Sequence, residues 1–400
     1  MSKSFLTDLE SSSKNALNKK AIINTFIDQG DLPIAEIAKE MDMSVPTITK
    51  LLGELQDEGF VVDSGKQETN GGRRPSVYGL NPEACYFVGV DIRRFRVNVA
   101  LTNFKGEVIK VKHDIPFLLE NTPASLDQLC VIIQTFISKV GLPKEKIKNV
   151  AINISGRVNS ESGYSYSFFY FDETPMSQKI EERIGCPVSV DNDSRAMAYG
   201  EYMCATNGEK NLLFVNVSWG LGLGMILNGQ LYYGRSGFSG EFGHFHAADN
   251  EVLCHCGKKG CLETEASGQA IYRMIKEKIE NGSTTSLEAK YKQNTVTMED
   301  IVAATLHDDV LAIEMVEYVA STLGKHIAGL INIFNPELVV IGGGLSMVGD
   351  YLLLPLRAAI RKYSLNLVNK DTVVRLTKLG DDVGVMGACM LARSKMLNHI

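Results

Sequence analysis

The sequence predicts an α/β fold in which two lobes repeat one pattern and follow a small helical domain. Three observations lead to this prediction. The first eighty residues carry helical periodicity, the rest alternates apolar strand-like runs with helices, and a strand triplet near residue 86 recurs near residue 212. Since 400 residues exceed one ordinary core, we expect regions at 1–83, 84–190 and 191–382, with a C-terminal helix at 383–400 completing the first lobe.

The composition is that of a folded protein without a membrane segment. Hydrophobic residues make up 44% of the chain and can fill substantial cores, while the 22% of charged residues form no long runs. The net charge of -6 does not itself favour nucleic-acid binding. The N-terminus lacks an apolar secretory segment, and no stretch approaches about 18 apolar residues, so we expect a cytoplasmic protein.

The N-terminal region has the order of elements of a winged helix-turn-helix. Apolar residues at helical spacing predict three helices, and Ser44 is placed to cap the third. Two short apolar runs flank a glycine- and arginine-rich segment, which predicts a hairpin or wing. The three helices are expected within residues 13–29, 34–41 and 44–55, and the two strands at 59–62 and 77–80.

A winged helix-turn-helix suggests binding to double-stranded operator DNA. The second helix of the motif enters the major groove, and wing arginines suit the minor groove or the phosphates beside it. The candidate DNA contacts are Ser44, Thr47, Thr49, Lys50, Arg73 and Arg74. Acidic residues outnumber basic ones in residues 1–83, so binding requires a local basic patch. Its candidates are Lys14, Lys19, Lys20, Lys50, Lys66, Arg73 and Arg74; the alternative is a protein-interaction module.

Residues 84–400 are predicted to form two related α/β lobes around a cleft. Three hairpin-like strands, a helix and further strands occur once, and a second strand triplet followed by helices repeats the pattern. The predicted strands are 86–91, 96–101, 108–112, 150–154 and 188–190 in the first lobe, and 212–217, 224–227, 230–233 and 338–341 in the second. A duplicated β-β-β-α unit of this kind indicates the actin-like ATPase architecture, with ribonuclease-H-like lobes.

One loop carries the signature of a zinc site. Three cysteines and an upstream histidine, His244, Cys254, Cys256 and Cys261, supply the thiolates and imidazole that suit tetrahedral zinc. Four protein ligands leave no position for water, so the metal is expected to be structural rather than catalytic. The carboxylates Glu241 and Glu263 would then face another ligand. The alternative is that three reduced cysteines lie near a histidine by chance.

Five segments with polar or glycine-rich sequences follow one another along residues 190–382. They are Val190-Asp-Asn-Asp193, Glu241-Phe-Gly-His244, Cys254 through Glu263, Val340 through Gly344, and Leu379-Gly-Asp-Asp382. These segments and their order resemble the ROK family, and the resemblance covers almost the whole chain. That family groups sugar kinases with sugar-responsive repressors, and its repressor branch has an N-terminal winged helix-turn-helix. The resemblance implies zinc ligands at His244 and the three cysteines. It also implies a sugar-contacting set made of Asn192, Asp193, Glu241, His244 and Glu263.

The chemistry of these groups suits a polyol. A sugar hydroxyl both donates and accepts, so carboxylates beside an amide and an imidazole can bind it in a defined orientation. If zinc takes one nitrogen of His244, the other becomes a fixed N–H donor facing the cleft. The alternative for Asp193 is a cap on a helix beginning at Ser194.

The resemblance leaves two functions open. In a kinase, Asp193 would be the base that accepts the proton of the attacking sugar hydroxyl. Kinases of the family carry Asp-x-Gly-Gly-Thr after the first strand, where this chain has Asp91-Ile-Arg-Arg-Phe95. They also carry Gly-Thr-Gly where it has Ser218-Trp-Gly220. Bulky residues cannot reproduce a close backbone cradle for phosphate, and the glycines at 342–344 are a weak signal of nucleotide binding.

The sequence therefore favours a transcriptional repressor that has lost phosphoryl transfer and retains the sugar site. A monosaccharide or derivative is the expected effector, no catalytic residue is expected, and the alternative is an ATP-dependent sugar kinase with a regulatory head. We expect a homodimer or homotetramer, since sugar-driven closure of the lobes could change the spacing of paired DNA-binding modules. Release of DNA by the sugar is the expected effect, and tighter DNA binding with the sugar is the alternative.

Overall fold

The computed structural model describes residue 5, residues 13–66 and residues 75–397, and its N-terminal domain is a winged helix-turn-helix, as predicted. Ser13 and Ser44 cap the first and third helices, because each hydroxyl accepts from the backbone N–H three residues on. The two wing strands pair antiparallel. The elements are α1 (Lys14–Gln29), β1 (Leu32–Pro33), α2 (Ile34–Glu40), α3 (Val45–Asp57), β2 (Val61–Lys66) and β3 (Ser76–Leu80).

The rest of the described chain contains two five-stranded sheets with the same topology. In each sheet the first strand in the chain is central. It pairs antiparallel with the next strand and parallel with a later one, as expected for a duplicated unit. The first sheet has β4 (Tyr86–Ile92), β5 (Arg96–Asn103), β6 (Val108–Pro116), β7 (Ile147–Ile154) and β10 (Val188–Asn192). The second has β11 (Leu212–Val217), β12 (Leu221–Leu227), β13 (Gln230–Leu231), β14 (Leu338–Gly342) and β15 (Val373–Leu376).

Helices cover the faces of both sheets. The central strands β4, β11 and β14 are buried along their whole length, which explains their continuous apolar sequences. The helices are α4 (Pro123–Ser138), α5 (Met176–Ile184), α6 (Asp193–Ala205), α7 (Gly268–Glu280), α8 (Glu288–Lys292), α9 (Met298–Leu306), α10 (Val310–Phe334), α11 (Asp350–Tyr363), α12 (Asn366–Asp371) and α13 (Val383–Leu397). Within the described ranges, no helix is long and apolar enough to cross a lipid bilayer.

Some elements differ from the sequence prediction. The strand expected at 230–233 is only the two-residue β13, because the chain then turns at Gly234, whose φ is 69°. The edge strand β15 and a small hairpin, β8 (Val158–Asn159) with β9 (Tyr164–Ser165), were not predicted. These segments are too short to show a clear apolar alternation.

The two sheets meet through a pair of closely packed helices. α6 lies on β11 and β12 of the second sheet, α13 lies on β4 and β7 of the first, and the two helices pack against each other. Their backbones come close where Gly200 faces Gly387, since a Cβ at Gly200 would lie 2.8 Å from the Gly387 Cα. α13 therefore belongs with the first sheet, although it lies at the end of the described chain.

The winged helix-turn-helix shares a core with the first lobe. Its buried residues Ile22, Leu52 and Phe60 belong to one apolar cluster with Phe87 of β4 and Leu397 of α13. Arg393, 3% exposed, donates to the carbonyl of Lys105 at 2.7 Å. The Lys105 ammonium lies 3.1 Å from the Asp31 carboxylate of the N-terminal domain. The N-terminal domain is thus packed onto the lobe rather than joined only by a linker.

The glycine contact between α6 and α13 predicts a large effect from a single methyl group. A Cβ at Gly387 would collide with the Ala196 carbonyl, so Gly387→Ala should destabilise the protein by about 1–3 kcal/mol. The control is Gly329→Ala in α10, where a Cβ meets no atom within 4 Å and helix propensity improves. The midpoint of urea unfolding should fall for the first variant only. Equal midpoints would contradict tight packing of the two helices.

Candidate functional site

Four metal-ligand side chains lie together in the second lobe. One ligand atom from each of His244, Cys254, Cys256 and Cys261 lies within 4.8 Å of every other. His244 ends a short 3₁₀ turn, and the cysteines occupy the loop that follows it. The predicted cluster therefore forms, and it could hold a metal ion.

Two glycines shape the loop, as its sequence suggests. Gly257 and Gly260 have φ values of 84° and 75°, a region that side chains with a Cβ rarely enter. The Cys254 N–H donates to the Lys258 carbonyl at 2.8 Å, which closes the reversal. This turn returns Cys261 towards the first two cysteines.

The spacing of the ligand atoms fits a tetrahedral ion. Sulfurs bound at about 2.3 Å to one zinc stand roughly 3.7 Å apart. The Cys256 and Cys261 sulfurs are 3.6 Å apart, and the Cys254 sulfur lies 3.6 Å from His244 Nδ1. All three cysteines are free thiols. Burial raises the pKa of the Cys254 thiol to about 12, so binding a cation at neutral pH would release its proton.

The imidazole of His244 links this cluster to a carboxylate. Its Nδ1 faces the cysteine sulfurs, while Nε2 lies 3.6 Å from Glu241 Oε2. Glu241 is exposed at the start of the same 3₁₀ turn. A cation on Nδ1 would leave Nε2 as a donor beside Glu241, the orientation expected from the sequence.

Glu263 has a partner that was not predicted. It is buried, accepts a hydrogen bond from the Leu221 N–H at 2.9 Å, and lies 2.9 Å from His255 Nδ1. Burial acts to raise the pKa of Glu263, yet the hydrogen bonds from His255 and Leu221 hold it below its usual value. The hydrogen bond to Glu263 raises the pKa of His255. The only sequence signal for His255 was its place between two metal-ligand cysteines.

Asn192 and Asp193 lie where β10 ends and α6 begins. Asn192, not Asp193, is the helix cap, and its Oδ1 accepts from the N–H groups of Ser194 and Arg195 at 3.0 and 3.1 Å. Its Nδ2 donates to the Gly156 carbonyl at 3.0 Å. Burial and the nearby charge of Asp91 raise the pKa of Asp193 to about 6, against the opposing hydrogen bond from Ser194.

The hairpin of β11 and β12 connects the two groups of candidate residues. Asp193 Oδ2 lies 3.5 Å from Nδ2 of Asn216 on β11. Glu263 binds the backbone of Leu221, where β12 begins. The structure therefore places one carboxylate beside each strand of this hairpin, and Glu241 reaches the same region through His244.

The turn between β4 and β5 is occupied by arginine side chains. Arg93 Nε lies 2.9 Å from Asp91 Oδ2, and the same guanidinium donates to the Asp381 carbonyl at 2.7 Å. Arg96 lies 2.9 Å from Glu299 at the start of α9. Where family kinases carry glycines for phosphate, this chain has cations paired with its own acidic groups.

The turn where family kinases carry Gly-Thr-Gly is also filled by side chains. The Arg94 guanidinium lies 5.6 Å from the centre of the Trp219 ring, which contacts the Tyr272 ring at 5.6 Å. The Ser218 hydroxyl accepts from the Gly344 N–H at 3.1 Å. Gly343 has a φ of 85° and starts a 3₁₀ turn, so these glycines form a tight strand-to-helix turn.

The predicted recognition helix presents its candidates to solvent. Ser44, Thr47, Thr49 and Lys50 are exposed. The opposite side of α3 is buried through Ile48, Leu51, Leu52 and Leu55. Arg73 and Arg74 lie outside the described residues. Lys19 does not belong to a basic DNA-binding patch, because it is 3% exposed and lies 2.7 Å from Glu58 and 3.0 Å from Glu54.

Comparison with known proteins finds two family models. Residues 87–395 match the ROK family, and residues 17–62 match a winged helix-turn-helix DNA-binding model. The chain is 29% identical over 385 residues to a xylose repressor of Caldicellulosiruptor bescii, covering 96% of both chains. It is 32% identical over 316 residues to a glucokinase of Halalkalibacterium halodurans, covering 78% of this chain and 96% of that protein.

A solved structure resembles the whole molecule. The crystal structure of a ROK family transcriptional regulator, described as a homologue of the Escherichia coli MLC protein, superposes with a TM-score of 0.79. The two chains are 27% identical, and 96% of each is covered. The similarity therefore includes the N-terminal domain as well as both lobes.

Proposed function

Because this chain belongs to the ROK family, we propose that it is a DNA-binding transcriptional repressor whose operator affinity is modulated by a sugar. The observation that carries the proposal is the winged helix-turn-helix packed on the first lobe, with the polar face of α3 exposed. The similarity to a xylose repressor and to a solved ROK regulator extends over this domain. As a dimer or tetramer, the protein would place two such modules on one operator.

We propose that α3 enters the major groove of operator DNA. Ser44 and Thr47 lie at its N-terminal end, where helices of this motif contact base edges. Lys50 has 77% of its side chain exposed, and its ion pair with Glu54 among the described residues is long, at 3.9 Å, so it can approach a phosphate. Arg73 and Arg74 would contact the minor groove or the adjacent backbone.

We propose that the cation of the His244 and cysteine cluster is zinc and that its role is structural. Three sulfurs and one nitrogen fill a tetrahedral shell. Glu263, two residues after Cys261, is held against the Leu221 backbone. The metal would therefore fix the loop that positions Glu263, while His244 would present its second nitrogen beside Glu241.

The proposed sugar site lies between this loop and the start of α6. Asn192, Asp193, Glu241, His244 and Glu263 supply the acceptors and donors that sugar hydroxyls require. Asn192 already bonds to Gly156 and caps α6, so it has little capacity left and would mainly position Asp193. The unit expected in this polar site is a monosaccharide or a derivative, bound with the lobes closed around it.

Closure of the lobes can reach the DNA-binding domain through α6 and α13. α6 begins at Asp193, and the Tyr199 hydroxyl on it hydrogen-bonds to Ser394 of α13 at 2.5 Å. α13 begins beside Asp91 and ends with Leu397 in the core of the N-terminal domain. A small rotation would alter half-site spacing, which must match about 34–36 Å. By linkage, DNA and sugar must change each other's affinity by the same factor.

A sugar kinase is the second candidate function. The observation that favours it is the raised pKa of Asp193, about 6, which suits a general base near neutral pH. The similarity to a glucokinase also covers both lobes. Against it stand the paired arginines Arg93 and Arg96 and the Trp219 ring, which occupy both turns that would bind phosphate.

The zinc proposal predicts one zinc ion per chain in purified protein. Cys256→Ser should reduce the zinc content to a small fraction, because three ligands hold the ion far more weakly than four. Cys204→Ser removes an exposed cysteine outside the cluster and should retain the metal. His255→Ala should also retain the metal, which would identify His244, and not the neighbouring His255, as the histidine ligand. Elemental analysis that finds no metal, or equal metal in all variants, would contradict the site.

The repressor proposal predicts a salt-sensitive DNA complex that a sugar weakens. With DNA selected by the full-length protein from a random library, Lys50→Ala should lower affinity about tenfold and reduce the salt slope by about 1. Lys276→Ala, the same charge change on an exposed position of α7, should have no effect. Fluorescence anisotropy measures both. Failure to select any DNA, with zinc-loaded protein, would contradict the proposal.

The raised pKa of Asp193 predicts that sugar affinity depends on pH. A hydroxyl donates to the ionised carboxylate, so affinity should rise from pH 5 to 7 through the pKa of about 6. Asp193→Asn should bind about tenfold more weakly at pH 7.5 and lose this dependence. Asp127→Asn, which changes an exposed carboxylate of α4, is the control. Calorimetric titration measures affinity, and sugar-dependent ADP release that Asp193→Asn abolishes would instead establish the kinase.

A further inference from the structure

Three aromatic side chains form an exposed surface beside the proposed sugar site. The Tyr164 and Tyr166 rings stack with centres 6.1 Å apart, and the Phe238 ring meets Tyr166 edge-to-face at 5.6 Å. Tyr166 is 48% exposed and Phe238 39% exposed. We call these three residues the aromatic platform.

Hydrogen bonds connect the platform to the candidate hydroxyl-binding residues. The Tyr166 N–H donates to the carbonyl of Arg157, and the preceding residue, Gly156, accepts from the Asn192 side chain at 3.0 Å. Phe238 lies three residues before Glu241 along the chain. The platform is therefore joined to Asn192 by hydrogen bonds and to Glu241 by a short segment of chain.

A buried arginine fixes the two halves of the platform against each other. Arg195 donates to the Gly237 carbonyl at 2.6 Å, next to Phe238. It also donates to the Val158 carbonyl at 2.9 Å, in the strand that pairs with Ser165. Its charge is balanced by Asp191, 2.7 Å away. Because these contacts are made by the chain itself, the rings need little reorganisation on binding.

The loop after Tyr166 is anchored as well. Buried Lys179 donates to the Phe169 carbonyl at 2.9 Å and lies 2.8 Å from Asp172. Phe169 has a φ of 59°, an uncommon conformation for an aromatic residue that the surrounding structure must hold in place. A segment built in this way presents its exposed rings in a defined position.

We infer that the aromatic platform binds a second sugar unit, so that the effector is a disaccharide or longer oligosaccharide. A pyranose ring has an apolar face of C–H groups that packs on the electron-rich face of an aromatic ring. The first unit would occupy the polar site, which places the second beside the platform. This inference rests on the proposed function and specifies its ligand class.

The platform is small for a contact between two protein chains. Three partly exposed rings offer on the order of 300 Å² of surface, whereas a stable interface buries about 800 Å² per partner. A single sugar ring is of the right size to cover two adjacent aromatic side chains. The size and the adjacent polar residues both favour a saccharide.

The test compares matched sugars on the full-length protein by calorimetry. The pairs are D-xylose with xylobiose and D-glucose with cellobiose. For the pair that binds, the disaccharide should have a Kd at least tenfold lower than its monosaccharide. Tyr166→Ala and Phe238→Ala should each remove most of that difference and leave the monosaccharide Kd within twofold. Tyr166→Phe should behave as wild type, because the ring and not its hydroxyl makes the contact.

Tyr363→Ala removes an equally exposed ring at the end of α11 and serves as the control that should change nothing. Equal affinity for both members of the binding pair would overturn the inference while leaving the proposed function intact. Equal loss of both sugars in the platform variants would also overturn it. A changed oligomeric mass with unchanged disaccharide affinity would show instead a contact between copies. If no sugar of either pair binds or affects the DNA complex, both the inference and the proposed function fail.

Discussion

The close contact between α6 and α13 is the constraint on which the rest of the molecule depends. The helices can pack at this distance because Gly200 and Gly387 lack side chains where the two backbones meet. Each helix covers one of the two sheets, so the contact also sets the separation of the lobes. α6 begins at Asp193 in the proposed sugar site, and α13 ends in the core of the N-terminal domain. One packed pair thus connects the cleft with the domain proposed to bind DNA.

The β4–β5 turn supplies an arginine that pairs with a buried carboxylate of the same turn. Asp91 is 1% exposed, and an uncompensated carboxylate there would be costly. Arg93 supplies the compensating charge from the same turn and also contacts Asp381. The positive charge that balances these carboxylates therefore comes from an arginine of the chain itself. The same contacts join the two lobes, so any opening of the cleft must separate ion pairs as well as apolar surface.

Local patterns in the sequence predict much of this structure, but they do not predict side-chain contacts between residues that are distant in the chain. The three helices of the N-terminal domain, the buried strands and the metal-ligand cluster depend on residues close in the chain, such as Cys254 to Cys261. The burial of Lys19 against Glu58 and the contact of Arg93 with Asp381 join distant residues. The partnership of His255 with Glu263 is closer in sequence, but it depends on how the metal loop folds. The hydrophobic periodicity of helices and strands does not indicate such contacts, because they form only when separate elements pack together.

Glu263 connects the cysteine-containing loop with the turn between β11 and β12, which faces Arg94. Its carboxylate accepts from the Leu221 N–H, and a Cβ on the adjacent Gly220 would lie 2.7 Å from Oε2. Trp219 precedes this glycine and faces the Arg94 guanidinium of the first lobe. A ligand that competes for Glu263 must therefore alter the backbone of a turn that touches the opposite lobe. With the proposed zinc bound, the loop would hold the Glu263 carboxylate in place, so that the turn would move instead. This arrangement would give a physical route from the proposed sugar binding to the angle between the lobes.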